Sequence, residues 1–411
     1  NLVMSYERKL KPSILFILPD SPLYRIGGFE TITRYFAEEL AEKGCKVYVL
    51  GRGILGVFNV KVINKVIYLE YGRAKLEYKT PKLSLKYILT VLKDIIEKAI
   101  LLILLHRRKN IEIVVFYREP YIYAPLAFLC RLLNICTVLA YVVIRKASSN
   151  FLVNIIRKIV FSMYSLIMIY TLKYYKTDGS VIDNLKELRK YHNYVVYLPP
   201  GLRPERVTKH FEDYQNIKRL RENNYIVVCP RRLTYQKGVH VLLEAIPFVI
   251  KNIKNVIFIF VGSGELKPYL IKRMKDLKIE NHVMFLGAIP YNKVLSPLKN
   301  ADVVVVPSLT EEDFGMIFLE AFYAGCAIVS TKLGGIPNVV IEGKGGILVK
   351  PNDTLALAKA IIYLLKNDSL RNIFREFNYN RLKSEFNLSL NADKLLRYLS
   401  YLVKKTPIHR F

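Results

Sequence analysis

Two glutamates eight positions apart, Glu312 and Glu320 in "EEDFGMIFLE", are the first candidates for chemistry. Glu312 belongs to an acidic loop, and Glu320 is embedded in the apolar run "MIFLEAFYAGCAIV". A carboxylate among apolar neighbours is costly to bury unless it is paired or hydrogen-bonded. The two hydroxyls of a ribose would satisfy Glu320, and Glu312 could accept hydrogen bonds from sugar hydroxyls. Between them a helix begins near Gly315, where the N–H groups of Phe314, Gly315, Met316 and Ile317 could receive a phosphate. The alternative is purely structural: an acid favouring a helix N-terminus, and a salt-bridged Glu320.

Cationic and glycine-bearing loops recur in the same sequence context, directly after short apolar runs. "RRLTYQKG" follows "YIVVCP" and carries Arg232 and Lys237 five residues apart, a planar fork and a point charge able to clamp a diphosphate. "VGSGE" places Gly262 and Gly264 after "VIFIF", and Gly27 and Gly28 precede the run "FETITRYFAEELAEKG". A strand, a glycine loop and a helix start together form an anion cradle. Taken singly, the bases read equally well as solvated surface residues and the glycines as tight turns.

The elements that must position these loops alternate as strand and helix, the pattern of doubly wound α/β domains. It runs twice. The first cycle starts at "SILFIL" and continues through "KVYVLG", "IEIVVFY" and "CTVLAYVVI"; the second starts at "YIVVCPR" and continues through "VIFIFVG", "VMFLG", "DVVVVPS", "AIVSTK" and "GGILV". Two helical runs close the chain, with an interruption near Glu385. The Pro- and Gly-bearing stretch "YLPPGLRPERV" reads as a hinge. The expected division is an N-terminal domain over 1–200, a C-terminal domain over 201–385, and a final helix, 386–411, packing back on the first domain.

The chain carries 63 Lys+Arg against 34 Asp+Glu, a formal charge of +29, so an anionic partner is expected. No acid occurs between Glu119 and Asp178, whereas Arg131, Arg145, Lys146, Arg157, Lys158, Lys173 and Lys176 lie there among apolar runs. A basic, oily surface of this kind suits an anionic membrane. A transmembrane span is not expected: "IVFSMYSLIMIYTL" (159–172) is too short. The segment 85–105 groups Lys86, Thr90, Lys93, Asp94, Glu97 and Lys98 into one polar stripe of an amphipathic helix. With no secretory pattern and five cysteines outside CxxC spacing, the chain reads as cytoplasmic, with peripheral attachment at the inner face of the cell membrane. The six histidines suggest no metal site and no cofactor is expected.

With these motifs in hand, the sequence resembles the retaining glycosyltransferases of GT-B fold, the group-one or family-four class. Glu312 to Glu320 is similar to that family's E-x7-E motif, and "RRLTYQKGVHVLLEA" to its R-L-x-x-x-K-G segment. "FVGSGE", "FLGAIP" and "GGIPNVVIEGKGGILV" follow in the family's order. The resemblance is specific over roughly 225–350, looser over 13–51 and weak over 52–220. It implies an α/β chain of two Rossmann-like domains facing across a cleft, with a nucleotide-diphosphate sugar on the C-terminal domain and the acceptor on the N-terminal one. It further implies that Arg232 and Lys237 neutralise the leaving diphosphate, that Glu320 binds ribose and Glu312 the donor sugar, and that backbone near Gly287 meets the base. Gly27 and Gly28 would approach the donor from the first domain. Retention of configuration without a metal is also implied. Two departures concern the chemistry: Tyr141 stands where many members have a histidine, and Asn338 where glutamate is frequent.

The expected function is transfer of a sugar from a nucleotide donor to a glycan or lipid-linked acceptor at the membrane surface. The alternatives are a nucleotide-sugar epimerase or hydrolase of the same fold, and a basic nucleic-acid-binding protein. The last lacks a zinc finger, an RNA-binding aromatic signature or a basic tail.

Overall fold

The computed structural model describes residues 11–23, 28–54, 56–73, 85–117, 120–141, 151–164, 166–169, 189–190, 192, 194–203, 215–289, 293–310, 312 and 314–405. Gly27, Arg145, Lys146, Lys173 and Lys176 lie outside them, and so does the Tyr141 side chain. The chain divides into two compact units. One runs to Pro200 and resumes at Leu388; the other spans Gly201–Asn387.

In the first unit the described strands form a sheet of order β3-β4-β2-β1-β5-β6-β7-β8. They are β1 (Ser13–Asp20), β2 (Lys46–Gly53), β3 (Asn59–Ile63), β4 (Val66–Arg73), β5 (Ile113–Tyr117), β6 (Cys136–Tyr141), β7 (Leu166–Ile169) and β8 (Val195–Tyr197). All pairings are parallel except β3 with β4, a hairpin turning at Asn64 and Lys65, both at positive φ. The first strand, β1, is buried almost throughout, which explains its unbroken apolar run.

The crossovers are α1 (Gly28–Glu42), α2 (Leu85–Lys109), α3 (Pro120–Leu132) and α4 (Phe151–Ser162). Chain order moves leftward across the sheet through α1 and rightward through α2, α3 and α4. Right-handed crossovers therefore place α1 on one face and the other three on the opposite face. The packing agrees: α2 meets α3 and α3 meets α4, whereas α1 meets the last helix, α13 (Leu388–Lys405). Lys43 fastens that contact through Asp393 at 3.0 Å and Ser389 at 2.9 Å. Buried Asn391 donates to the Pro199 carbonyl at 3.0 Å.

The α2 helix departs from its sequence reading. Its polar stripe is split, and its inner part faces the protein. Lys98 is fully buried. Its Nζ donates to Asp94 Oδ2 at 2.5 Å and to the Tyr123 hydroxyl at 3.4 Å, while the Tyr71 hydroxyl donates to Asp94 Oδ1 at 2.7 Å. Burial lowers the Lys98 pKa, with Asp94 opposing it. The cause of the inversion is local polarity. The carboxyl ends of β1, β2 and β4 supply Asp20, Arg52 and Tyr71, with Arg52 Nε 3.1 Å from Asp20 and 4.0 Å from Asp94. That polar rim draws in Asp94 and Lys98 and turns Leu89, Leu92, Ile96, Ile100 and Leu104 to the outside.

The run 159–172 is also not one helix, since α4 ends at Ser162 and β7 begins at Leu166. No described helix is long and apolar enough to cross a membrane. None of the five cysteines forms a disulfide, and all are buried.

The second unit holds a parallel sheet of order β11-β10-β9-β12-β13-β14. Its strands are β9 (Tyr225–Pro230), β10 (Val256–Val261), β11 (Val283–Gly287), β12 (Val303–Val306), β13 (Ala327–Thr331) and β14 (Gly346–Val349). The helices are α5 (Gln215–Asn223), α6 (Val239–Asn252), α7 (Lys267–Asp276), α8 (Leu295–Lys299), α9 (Met316–Ala324), α10 (Ile336–Val339), α11 (Thr354–Lys366) and α12 (Asp368–Ser384). One core lies under α6 and α11, the other under α8 and α9. The winding reverses between β9 and β12, which are adjacent. Such a switch point opens a crevice at the carboxyl ends of the strands.

Three loops close over that end of the sheet. Leu233 N donates to Ser263 O, Leu266 N to Leu233 O, and Leu309 N to Gln236 O, each at 2.9 Å. Gly238, at φ 65°, is where the 231–238 loop passes β12: a Cβ there would lie 1.8 Å from the Pro307 carbonyl oxygen.

Two stability predictions follow from these contacts. Lys98→Ala takes the nearest cation from partly buried Asp94, leaving Arg52 at 4.0 Å, and is expected to cost about 3 kcal/mol, the lower end for a broken buried pair. Gly238→Ala combines a left-handed backbone with a main-chain collision and is expected to exceed the roughly 1–3 kcal/mol of backbone strain alone. Urea-unfolding midpoints check both; a midpoint within error of the parent's would contradict the corresponding contact.

Candidate active site

The crevice between β9 and β12 gathers charge onto one carboxylate. Arg231 follows β9, Ser308 follows β12, Lys237 ends a short 3-10 turn before α6, and Glu312 lies in the loop before α9. The Glu312 oxygen Oε1 accepts from Arg231 Nη2, from Lys237 Nζ at 2.5 Å and from Ser308 Oγ at 2.9 Å. Arg231 Nη2 also donates to Ser308 Oγ at 3.0 Å. The main chain is held as well, since Gly335 N donates to the Glu312 carbonyl at 2.8 Å. The side chains of Arg231, Lys237 and Glu312 are 9%, 17% and 12% exposed, so these charges interact with little screening from water.

The titration behaviour reflects this packing. Burial alone would raise the Glu312 carboxyl, but Arg231, Lys237 and the hydrogen bonds from Lys237 and Ser308 bring it below its ordinary value. Burial and the neighbouring Arg231 push Lys237 down, against the opposing pull of Glu312; Arg232 adds to the lowering. Arg231 Nε is buried and meets no acceptor among the described residues. The cluster thus holds two cations, one resident anion and an unsatisfied donor, a composition suited to a second anion.

Arg231 was not singled out in the sequence; its neighbour Arg232 was. The structure brings Lys237 and Arg231 together on Glu312 and leaves Arg232 exposed on the same loop. The available signal was the pair itself, because consecutive residues leaving a strand point in different directions.

The other expected site residues distribute as follows. Glu320 is 5% exposed, in the second turn of α9. Gly315, at φ 76°, precedes α9 and, being glycine, offers no side-chain cap to the first-turn N–H groups of Met316 and Ile317. The Phe314 ring is buried and packs edge-on against Phe386 at 5.5 Å, anchoring the turn. Gly262 and Gly264 have a local role: a Cβ would lie 2.2 Å from the Arg231 carbonyl oxygen or 2.3 Å from that of Leu233. Their lack of side chains lets the 262–264 turn lie against the Arg231 loop. Gly287 ends β11 at φ 74° with open space where a Cβ would stand, and its carbonyl accepts from Gly262 N at 2.8 Å. Gly28, in the other unit, is the first residue of α1.

Comparison with known proteins bears on this arrangement. Residues 210–381 match the family model "Glycosyl transferases group 1". A GDP-mannose-dependent alpha-(1-6)-phosphatidylinositol monomannoside mannosyltransferase of Mycolicibacterium smegmatis is 31% identical over 180 residues, covering 41% of this chain and 46% of that one. The chain spans about half the length, or less, of the curated relatives it matches. Among solved structures, a glycosyltransferase from Rickettsia africae aligns at TM-score 0.72 with 17% identity, over 96% of this chain and 100% of that one. Anabaena Alr3699/HepE in complex with UDP aligns at 0.66 with 17% identity, over 95% and 100%. The fold is therefore GT-B, and residues 210–381 are similar to the group 1 glycosyltransferases.

Proposed function

We propose that the protein transfers a sugar, with retention of configuration and without a metal, from a nucleotide-diphosphate donor to a lipid-linked acceptor at the membrane surface. The observation that carries the donor half is the convergence of Arg231 and Lys237 at the switch point, with Arg231 Nε unsatisfied. As the bond between the anomeric carbon and the diphosphate oxygen breaks, negative charge grows on the diphosphate. Cations already fixed in a largely dehydrated crevice stabilise that charge without reorganising. The first-turn N–H groups of α9 offer further donors. Glu320 is assigned to the ribose, and Glu312 to the donor sugar. The new bond forms to an acceptor oxygen, whose proton leaves with the diphosphate.

Glu312 is not assigned as a covalent nucleophile. Three donors already engage its Oε1, and they lower its basicity along with its pKa. Two names among the related proteins support the donor class while differing in the base: the Anabaena neighbour is in complex with UDP, and the mycobacterial relative is GDP-mannose-dependent. The phosphatidylinositol monomannoside in that relative's name supports a lipid-linked acceptor here.

Calorimetric titration with UDP, GDP, ADP and their common sugars in EDTA tests the reading. One nucleotide class is expected to bind in the micromolar range. Arg231→Ala and Lys237→Ala should each weaken it about 10- to 100-fold, or roughly 1.4–2.8 kcal/mol, and Arg232→Ala less. Equal effects from all three arginine and lysine variants would move the diphosphate to the outer side of the loop; no binding would remove the donor site.

The pH dependence has a defined sign. Lys237 loses its proton below the ordinary lysine value, so diphosphate affinity should fall on the alkaline side earlier than an ordinary lysine would dictate. Glu312→Gln removes the group that raises Lys237, and the alkaline limb should move to still lower pH. Affinity measured against pH for both proteins checks this, and an unmoved limb would exclude Lys237 as the titrating group. For stability, the lowered Glu312 pKa contributes fully above the ordinary carboxylate value and is lost as pH falls through its folded-state value.

A further inference from the structure

We infer that the outer faces of α2, α3 and α4 form one docking surface for an anionic lipid bilayer. This extends the membrane-surface reading above by locating the contact, and it is independent of the donor site.

The surface follows from the orientation of α2. A helix on a domain face ordinarily turns its apolar stripe to the core. Here Asp94 and Lys98 are drawn inward by Tyr71, Tyr123 and Arg52, while Leu102 is buried beside them and a stripe of other leucines and isoleucines faces out. Leu89, Leu92, Ile96, Ile100 and Leu104 are 46–59% exposed along the helix. The neighbouring α3 presents Tyr121, Phe128 and Leu132, and α4 presents Leu152, Ile155, Ile156 and Ile159, each set on one helical stripe. The topology puts all three helices on one side of the sheet, and they contact one another in series. Exposed apolar residues scattered singly need no explanation, but three adjacent stripes form a patch that does.

Charge selects the occupant. Exposed Arg107, Arg108 and Lys109 end α2, and Arg131 and Lys158 accompany the other two helices; Lys93, beside the apolar stripe of α2, is paired with Glu97 at 3.8 Å. Neither α3 nor α4 contains an acid. A neutral protein partner or a second copy would match apolar area but leave this fringe, basic apart from Glu97, without a counterpart. Anionic headgroups over an acyl layer match both. No described helix is long and apolar enough to cross a membrane, so the expected contact is a helix layer lying in the interface.

Vesicle co-sedimentation of the full chain tests this, using phosphatidylcholine alone and phosphatidylcholine with about a third phosphatidylglycerol. Binding is expected to the anionic vesicles and to weaken with salt. Ile96→Glu/Ile100→Glu and Phe128→Glu, all at exposed positions, should each reduce it at least tenfold with melting temperature and nucleotide affinity unchanged. Binding undiminished in these variants, or absent in the parent, overturns the proposal. So would variants that convert an oligomer to a monomer while leaving vesicle binding intact, since the occupant would then be a second copy. If no nucleotide bound but the vesicle results held, the donor reading would fail and this one would stand.

Discussion

The second unit depends on one constraint: two cations from the end of β9 must be held close together in a crevice with little water. Arg231 and Lys237 repel each other, and burial disfavours both charges. Glu312 makes their coexistence possible by offering one oxygen to both and to Ser308. Much of the nearby backbone serves that carboxylate. Gly335 fixes its main chain, Thr331 Oγ donates to the Ser308 carbonyl at 2.8 Å, and Gly238 lets the Lys237 loop pass Pro307. On the proposed reading, the site is prepared for a diphosphate before one arrives, with Glu312 as its internal anion.

The same crevice accounts for its glycines differently from the usual phosphate argument. Gly262 and Gly264 are needed because the carbonyls of Arg231 and Leu233 lie where their side chains would be. A ligand could still approach from the open side, but the packing already demands glycine. Short glycine motifs after strands therefore report close backbone approach, and neighbouring loops satisfy that description as well as phosphates do.

Long buried strands were legible because parallel strands covered on both faces are continuous apolar runs, and β1, β9, β10 and β12 are of that kind. The closing helices were legible from their period and from the break near Glu385. The β3–β4 hairpin was not: it turns at Asn64-Lys65, which lacks the glycine of the commonest two-residue turn, and β3 alternates in exposure with no sustained apolar run. In the candidate site, the acid that organises the cluster was legible by type and spacing, whereas the choice between Arg231 and Arg232 was not. It depends on the direction of a side chain as the strand ends, which a tight turn closed by Arg231 N on the Cys229 carbonyl decides.

The orientation of α2 shows how a periodic pattern can be correct and still leave the fold open. An amphipathic helix has two faces, and its sequence identifies both without saying which is inside. The usual rule assigns the apolar face inward because water is the alternative. Here the sheet edge supplies the Asp20–Arg52 pair and Tyr71, so an apolar stripe packed there would leave the Tyr71 hydroxyl without Asp94 and set apolar surface against a charged pair. Satisfying them with Asp94 and Lys98 avoids that larger loss. The consequence is an apolar layer facing outward across three helices, which is a liability in water and an asset at a lipid interface. The polar interior and the oily exterior of α2 thus have one cause, and the burial of Lys98 is the structural counterpart of the exposure of Ile96 and Ile100.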